Sequence, residues 1–406
     1  MKKNSCYILL ALCAGVFYGC TNEEPLYKPK YLPVIDASVL PKENRAMTMF
    51  EDDEDPSKMY DKKDRSFRVN EPLQLFLKGT DSIQIRLYLP VALSNVKIYA
   101  KLPNYEKRFL IYHFSKIPAF HRSFHKIPLT EKRHDYLLET GNTVTIDQIQ
   151  GFSSETIEFS LECDDPLFKK LKKIKSRHLV QFDDKYHKTY DASYHFVPMN
   201  PVHAKEAITL LYNYSYALSH PLYYDTFINF DKYIQERTAT ASPPYAGPIY
   251  WHGNAADKDG VYDYLSKEEA EQLYWKYIDD REISLAMVGG GNAYGGGNLV
   301  SAYESLYISS HWRGDISLWV HEYSHHIDMG HNSSFAVYGQ IAGQSDMMSK
   351  FYQYLIYLDD LPFTNPDILQ SWTKSTYLRS NHKKPVFKMN ANNPFLLKYK
   401  GQGKWN

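Results

Sequence analysis

Between residues 70 and 190 the chain alternates apolar and polar positions in short runs. They are Leu73-Gln74-Leu75-Phe76-Leu77, Ile83-Gln84-Ile85-Arg86-Leu87, Val96-Lys97-Ile98-Tyr99, Val144-Thr145-Ile146 and Thr156-Ile157-Glu158-Phe159. Successive side chains of a strand point to opposite faces, so a period of two marks strands buried on one side. Turn residues separate the runs, and several such strands in one stretch predict a β-sandwich over 69–192. After Pro201 the period changes. Ala204, Ile208, Leu211, Tyr212 and Ser215 recur near 3.6 residues until Pro221, which predicts a helix. Ser266-Lys267-Glu268-Glu269 carries the reciprocal capping pattern that opens a second helix, with Leu273, Tyr274 and Tyr277 as its apolar positions. Ile283 to Val288 reads as a strand, and the glycine-rich run Gly289 to Gly297 follows it. Helices mixed with strand predict an α+β domain over 193–406.

The N-terminal part has neither period. Residues 20–68 hold several prolines and the acidic block Glu51-Asp52-Asp53-Glu54-Asp55, which predicts a solvated tether. Ahead of it, Lys2 and Lys3 precede an apolar run from Tyr7 to Tyr18, too short for the roughly 20 residues of a spanning helix and suited to an export signal over 1–19. The run ends at Gly19-Cys20, which resembles the lipobox of bacterial lipoproteins. That resemblance implies cleavage before Cys20, lipidation of Cys20 and an outer-membrane anchor. Thr21-Asn22-Glu23-Glu24 resembles the acidic tags that send some Gram-negative lipoproteins to the cell surface. With Cys6 and Cys13 leaving in the signal, Cys163 has no partner for a disulfide, and stability must come from the core.

Composition removes some functions. The 406 residues carry 47 basic and 47 acidic side chains, so no net field gathers phosphates and a nucleic-acid partner has no support. Neither GxGxxG nor GxxxxGK[ST] can be read through the glycine-rich run, which removes a nucleotide. The 35 tyrosines suit a wet extracellular surface that touches carbohydrate or peptide.

The chemistry lies in His321-Glu322-Tyr323-Ser324-His325. On a helix, residues four apart share a face, so two imidazoles converge on one point and the intervening carboxylate stands beside it. Two neutral nitrogens at that spacing suit Zn²⁺, and a neighbouring glutamate can take a proton from water activated by the metal. Ile316, Val320, Tyr323 and Ile327 form an apolar face that would hold this helix, predicted over 316–329 with Asp315 as its cap. His326 points away from the imidazole pair and reads as a surface or supporting group. Met347 and Met348 fit a core helix better than a turn beneath a metal. A third ligand is open between His331 and Asp346, with Gln344 a poor substitute for a carboxylate.

His321 to His331 resembles the metzincin pattern HExxHxxGxxH, with Asp328 where those enzymes place a glycine. The resemblance covers eleven residues. It implies a zincin metallopeptidase with His321, His325 and His331 as zinc ligands, Glu322 as general base, and Asp328 as a supporting or alternative ligand. The implied chain is multidomain: an immunoglobulin-like all-β sandwich followed by an α+β zincin-like domain. Its expected substrate is extracellular protein or glycoprotein. A degenerate zincin that binds protein or glycan at the surface without cleaving it is the alternative. The glycine-rich run, ahead of the motif, resembles the edge-strand region of zincins.

Overall fold

The computed structural model describes residues 34–36, 47–51, 54–183, 196–229, 265–279, 281–289, 293–313, 316–327, 338–364, 388–400, 402 and 404–405. Short elements come first: β1 (Val34–Asp36), β2 (Met47–Thr48), α1 (Pro56–Met59), α2 (Lys62–Arg65) and β3 (Phe67–Arg68). The alternating region then forms β4 (Leu73–Lys78), β5 (Ser82–Leu87), β6 (Leu93–Lys101), β7 (Phe109–Ile117), β8 (His121–Lys126), β9 (His134–Leu137), β10 (Thr143–Ile146) and β11 (Glu158–Cys163). Next come α3 (Pro166–Leu171), β12 (Leu179–Phe182), β13 (Phe196–Val197), α4 (Pro201–Ser219), α5 (Pro221–Ile228) and α6 (Lys267–Ile278). The remainder is β14 (Glu282–Val288), β15 (Tyr294–Gly296), β16 (Leu299–Tyr303), α7 (Glu304–Arg313), α8 (Ser317–His326), α9 (Tyr338–Tyr357) and α10 (Pro394–Lys398). The fold is mixed α+β with several sheets. No helix among the described residues is long and apolar enough to cross a membrane.

Two four-stranded sheets, β1-β7-β6-β11 and β2-β8-β5-β4, account for most of the alternating segments. They meet through side chains: Tyr112 and Phe114 of β7 lie 5.6 and 5.2 Å, ring to ring, from His125 of β8. Cys163 is free and buried, as the odd cysteine arithmetic requires. His121 and His125 point into this core, and burial pushes both imidazoles down to about 4. Unfolded histidines take up protons near 6.5, whereas the folded ones resist until about 4, so stability is full above 6.5 and drains as pH falls between those values. Denaturant titration at pH 7 and pH 4.5 reads this as a loss on the order of 3 kcal/mol per histidine. Replacing both with phenylalanine flattens the dependence.

A third sheet runs β15-β16-β14-β12-β3, with β13 also on β14. Strands β12, β14 and β16 are parallel, and β15 closes the edge antiparallel to β16. Its strands β3 and β12 come from residues numbered below 193, so the sheet beside the histidine motif draws on sequence on both sides of the expected boundary. The segment expected as a tether is also partly built into the fold. Asp64 of α2 accepts from Arg86 at 2.8 Å and pairs with Arg122 at 2.7 Å, while Glu54 of the acidic block pairs with the buried Arg65 and accepts from the Phe50 N–H at 2.8 Å. Asp64 is placed by partners on β5 and β8, which local composition does not reveal.

Helix α4 is the centre of the helical layer: every residue but Val202 is buried. The expected one-sided pattern is therefore incomplete, because the helix is enclosed all round. Tyr212, Tyr214 and Tyr216 are wholly buried in it, and Tyr223, Tyr274, Tyr277 and Tyr323 join them. Many tyrosines thus fill the core rather than a wet surface. Asn213 fixes the far side, donating to the Phe363 carbonyl at 2.6 Å and accepting from its N–H at 2.9 Å.

Candidate metal centre

Helix α8 carries the histidine motif. It starts one residue later than predicted, with buried Ile316 at the cap position and no capping side chain; Asp315 lies outside the described residues. Ile316, Val320, Tyr323 and Ile327 are buried, as is Trp319, so the apolar face is seated in the core. Polar contacts fix its rotation. The Tyr323 hydroxyl lies 2.6 Å from His178 Nε2, and Ser324 Oγ lies 2.8 Å from the Tyr277 hydroxyl. Tyr277 also donates to the side-chain oxygen of Gln344 on α9. Gln344 is therefore a buried link between helices rather than a ligand.

With that face buried, His321 and His325 are left half-buried on another side. Their Nε2 atoms stand 3.2 Å apart and their rings are nearly perpendicular, at 88°. Nitrogens bound to one zinc at about 2.0–2.1 Å and 3.2 Å apart subtend roughly 100° at the ion, close to tetrahedral. The pair fits zinc on distance and on donor chemistry. Asp346, on α9, lines the same cleft of about 570 Å³ as His321 and Glu322. Among the described residues, however, no group of three His, Cys, Asp or Glu is placed to hold one ion. His331 and Asp328 lie outside the described residues, as does Cys20. Met347 and Met348 are buried inside the regular helix α9 and form no turn.

Glu322 is 8% exposed. Burial pushes its carboxyl up to about 7, opposed by a hydrogen bond from the Gly295 N–H. That contact is the main feature sequence reasoning did not find. A Cβ on Gly295 would sit 1.9 Å from the Glu322 carbonyl oxygen and 2.6 Å from its carbon, so strand β15 rests directly on the backbone of the motif. Six glycines in the run Gly289 to Gly297, with a strand pattern beside them, were the available signal, since glycine inside a strand marks close backbone approach. His326 makes a second link from α8 to this region. It is 2% exposed, and its Nδ1 lies 2.6 Å from the Gly297 carbonyl oxygen, so it is neither a surface group nor aimed at the imidazole pair.

The cleft between α8 and α9 is mostly polar. Ser345, Ser349, Lys350 and Gln353 of α9 face Ser317 and Leu318 of α8. Its donors, the Glu322 and Asp346 carboxylates and the His321 imidazole, which stands against His325, are suited to holding a cation and moving a proton beside it. Comparison with protein-family models, curated proteins and solved structures finds no match to this chain.

Proposed function

We propose that this protein is a zinc-dependent endopeptidase acting on extracellular protein or glycoprotein. The observation that carries the reading is the His321–His325 pair, 3.2 Å between nitrogens, with His321 and Glu322 lining a cleft of about 570 Å³. His321 and His325 would hold the ion as neutral imidazoles, with His331 as third ligand and Asp328 available to orient it. Asp346 is the alternative from the cleft wall. When bound, zinc would supply Lewis acidity towards a water and a peptide carbonyl. Glu322 does the proton work: its carboxylate accepts a proton from the attacking water and returns it to the departing amine. Gly295 of β15 packs against the Glu322 backbone and seats the motif helix. Strand β15, at the sheet edge beside it, offers backbone to an extended peptide.

In this reading the α+β part that carries α8, with β3 and β12 in its sheet, is a zincin-like domain, and the two four-stranded sheets form an immunoglobulin-like sandwich that spaces or presents it. Lipidated Cys20 anchors the protein in the outer membrane, facing the medium. The test is proteolysis of a broad protein library by the purified mature chain. Cleavage that disappears with a chelator and returns with added zinc supports the reading. A library left intact by the zinc-loaded protein contradicts it, and supports surface binding by a degenerate zincin instead.

A further inference from the structure

Helix α6 divides its two faces sharply. Leu273, Tyr274, Tyr277 and Ile278 are buried, whereas Gln272, Trp275, Lys276 and Asp279 are exposed at i, i+3, i+4 and i+7, one stripe on the outer face. Trp275 is 45% exposed, one of the few large apolar side chains left in solvent among the described residues. It is not loose: its ring packs edge-on against Tyr274 at 5.4 Å and lies 6.4 Å from Tyr224.

The chain before β12 completes a groove against this stripe. Ser176 and His178 are buried, and the alternation turns Lys175 and Arg177 outward together. Lys175 is pinned through its backbone N–H, which donates to Ser219 Oγ at 2.9 Å, and Arg177 through its carbonyl, which accepts from Arg68 at 2.8 Å. Lys175, Arg177, Gln272, Trp275, Lys276 and Asp279 line about 720 Å³. Three cations face one carboxylate, so the groove favours an anion. The indole favours a partner with a flat apolar face, since aromatic rings gain most from broad stacked contact. Gln272 and Asp279 supply an amide and an acceptor suited to hydroxyl groups.

We propose that this groove binds an acidic glycan, a chain of pyranose rings bearing carboxylates. A sugar ring lies on Trp275, Arg177 and Lys175 take its carboxylates, and Gln272 and Asp279 take ring hydroxyls. An acidic peptide would satisfy the cations and leave the indole without a ring; a neutral glycan would do the reverse. The site is built from α6 and the segment before β12, and does not depend on the metal centre.

The test is titration of the full mature protein with tetragalacturonate, followed by intrinsic fluorescence and calorimetry. Maltotetraose and a short poly-glutamate serve as the neutral-glycan and acidic-peptide probes. Tetragalacturonate is expected to bind with an affinity that falls as salt rises. Trp275→Ala should weaken it about tenfold or more, Trp275→Phe less, and Arg177→Ala should weaken it and reduce the salt dependence. Circular dichroism checks that each variant folds, which the exposure of these side chains favours. No binding of tetragalacturonate overturns the proposal. So does equal binding by poly-glutamate or maltotetraose, or an affinity that Trp275→Ala leaves unchanged.

Discussion

Replacing Glu322 with glutamine removes peptide hydrolysis while the protein stays folded and keeps its metal. Glutamine matches glutamate in shape, and its side-chain oxygen can still accept from the Gly295 N–H that bonds the native carboxylate. What it cannot do is take a proton from water. A positioned general base contributes about 10²–10⁴-fold to rate, so kcat should fall by that range with little change in KM. Circular dichroism and zinc content should match the native protein. A variant that still cleaves at near native rate would remove Glu322 from the reaction and leave the imidazole pair as a binding site only.

Gly295→Ala gives the largest structural effect. The added methyl carbon meets the Glu322 carbonyl oxygen at 1.9 Å and the Glu322 Cα at 2.9 Å, and these are backbone atoms of a helix whose other face is fixed in the core. Neither side can yield cheaply. Overpacking a core typically costs about 1–3 kcal/mol, and a clash with rigid backbone belongs at or above the top of that range. The strand or the helix must shift, which removes the seat that β15 gives the motif helix and displaces the site as a whole. Thermal denaturation should therefore show a much lower midpoint, and any activity of the folded fraction should fall as well. Gly297→Ala is the control: its surroundings hold nothing within 4 Å, so its cost comes only from its φ of +53°.

Local pattern made several parts of this molecule readable in advance. The reciprocal cap at Ser266 and Glu269 is present as predicted, and Leu273, Tyr274 and Tyr277 are buried behind it. Strands β4, β5, β6 and β10 fall where the alternation placed them, and α8 buries the four apolar residues its spacing selected. What sequence did not disclose is what depends on distant partners. Strand β12 pairs with β3 on one side and β14 on the other, each across more than a hundred residues, and nothing local marks β12 as a member of that sheet. Tyrosine is ambiguous by chemistry: its ring is content in a core when the hydroxyl finds a partner, as Tyr277 does with Gln344 and Tyr274 with the Leu218 carbonyl. The convergence of His321 and His325 was legible because helical geometry alone produces it. The seat of Glu322 was not, because it is made by a glycine 27 positions earlier whose contact exists only in the folded chain.

The site is proposed to hold one zinc ion on His321 and His325 of α8, with His331 as the third ligand. That claim is tested most directly by elemental analysis of the mature protein beside His321→Ala, His325→Ala, His331→Ala and Asp346→Ala. One zinc per native chain is expected, with almost none in the first three variants and native content in Asp346→Ala. Zinc lost from Asp346→Ala but kept by His331→Ala would move the third ligand to α9. A native protein without stoichiometric zinc would contradict the claim itself.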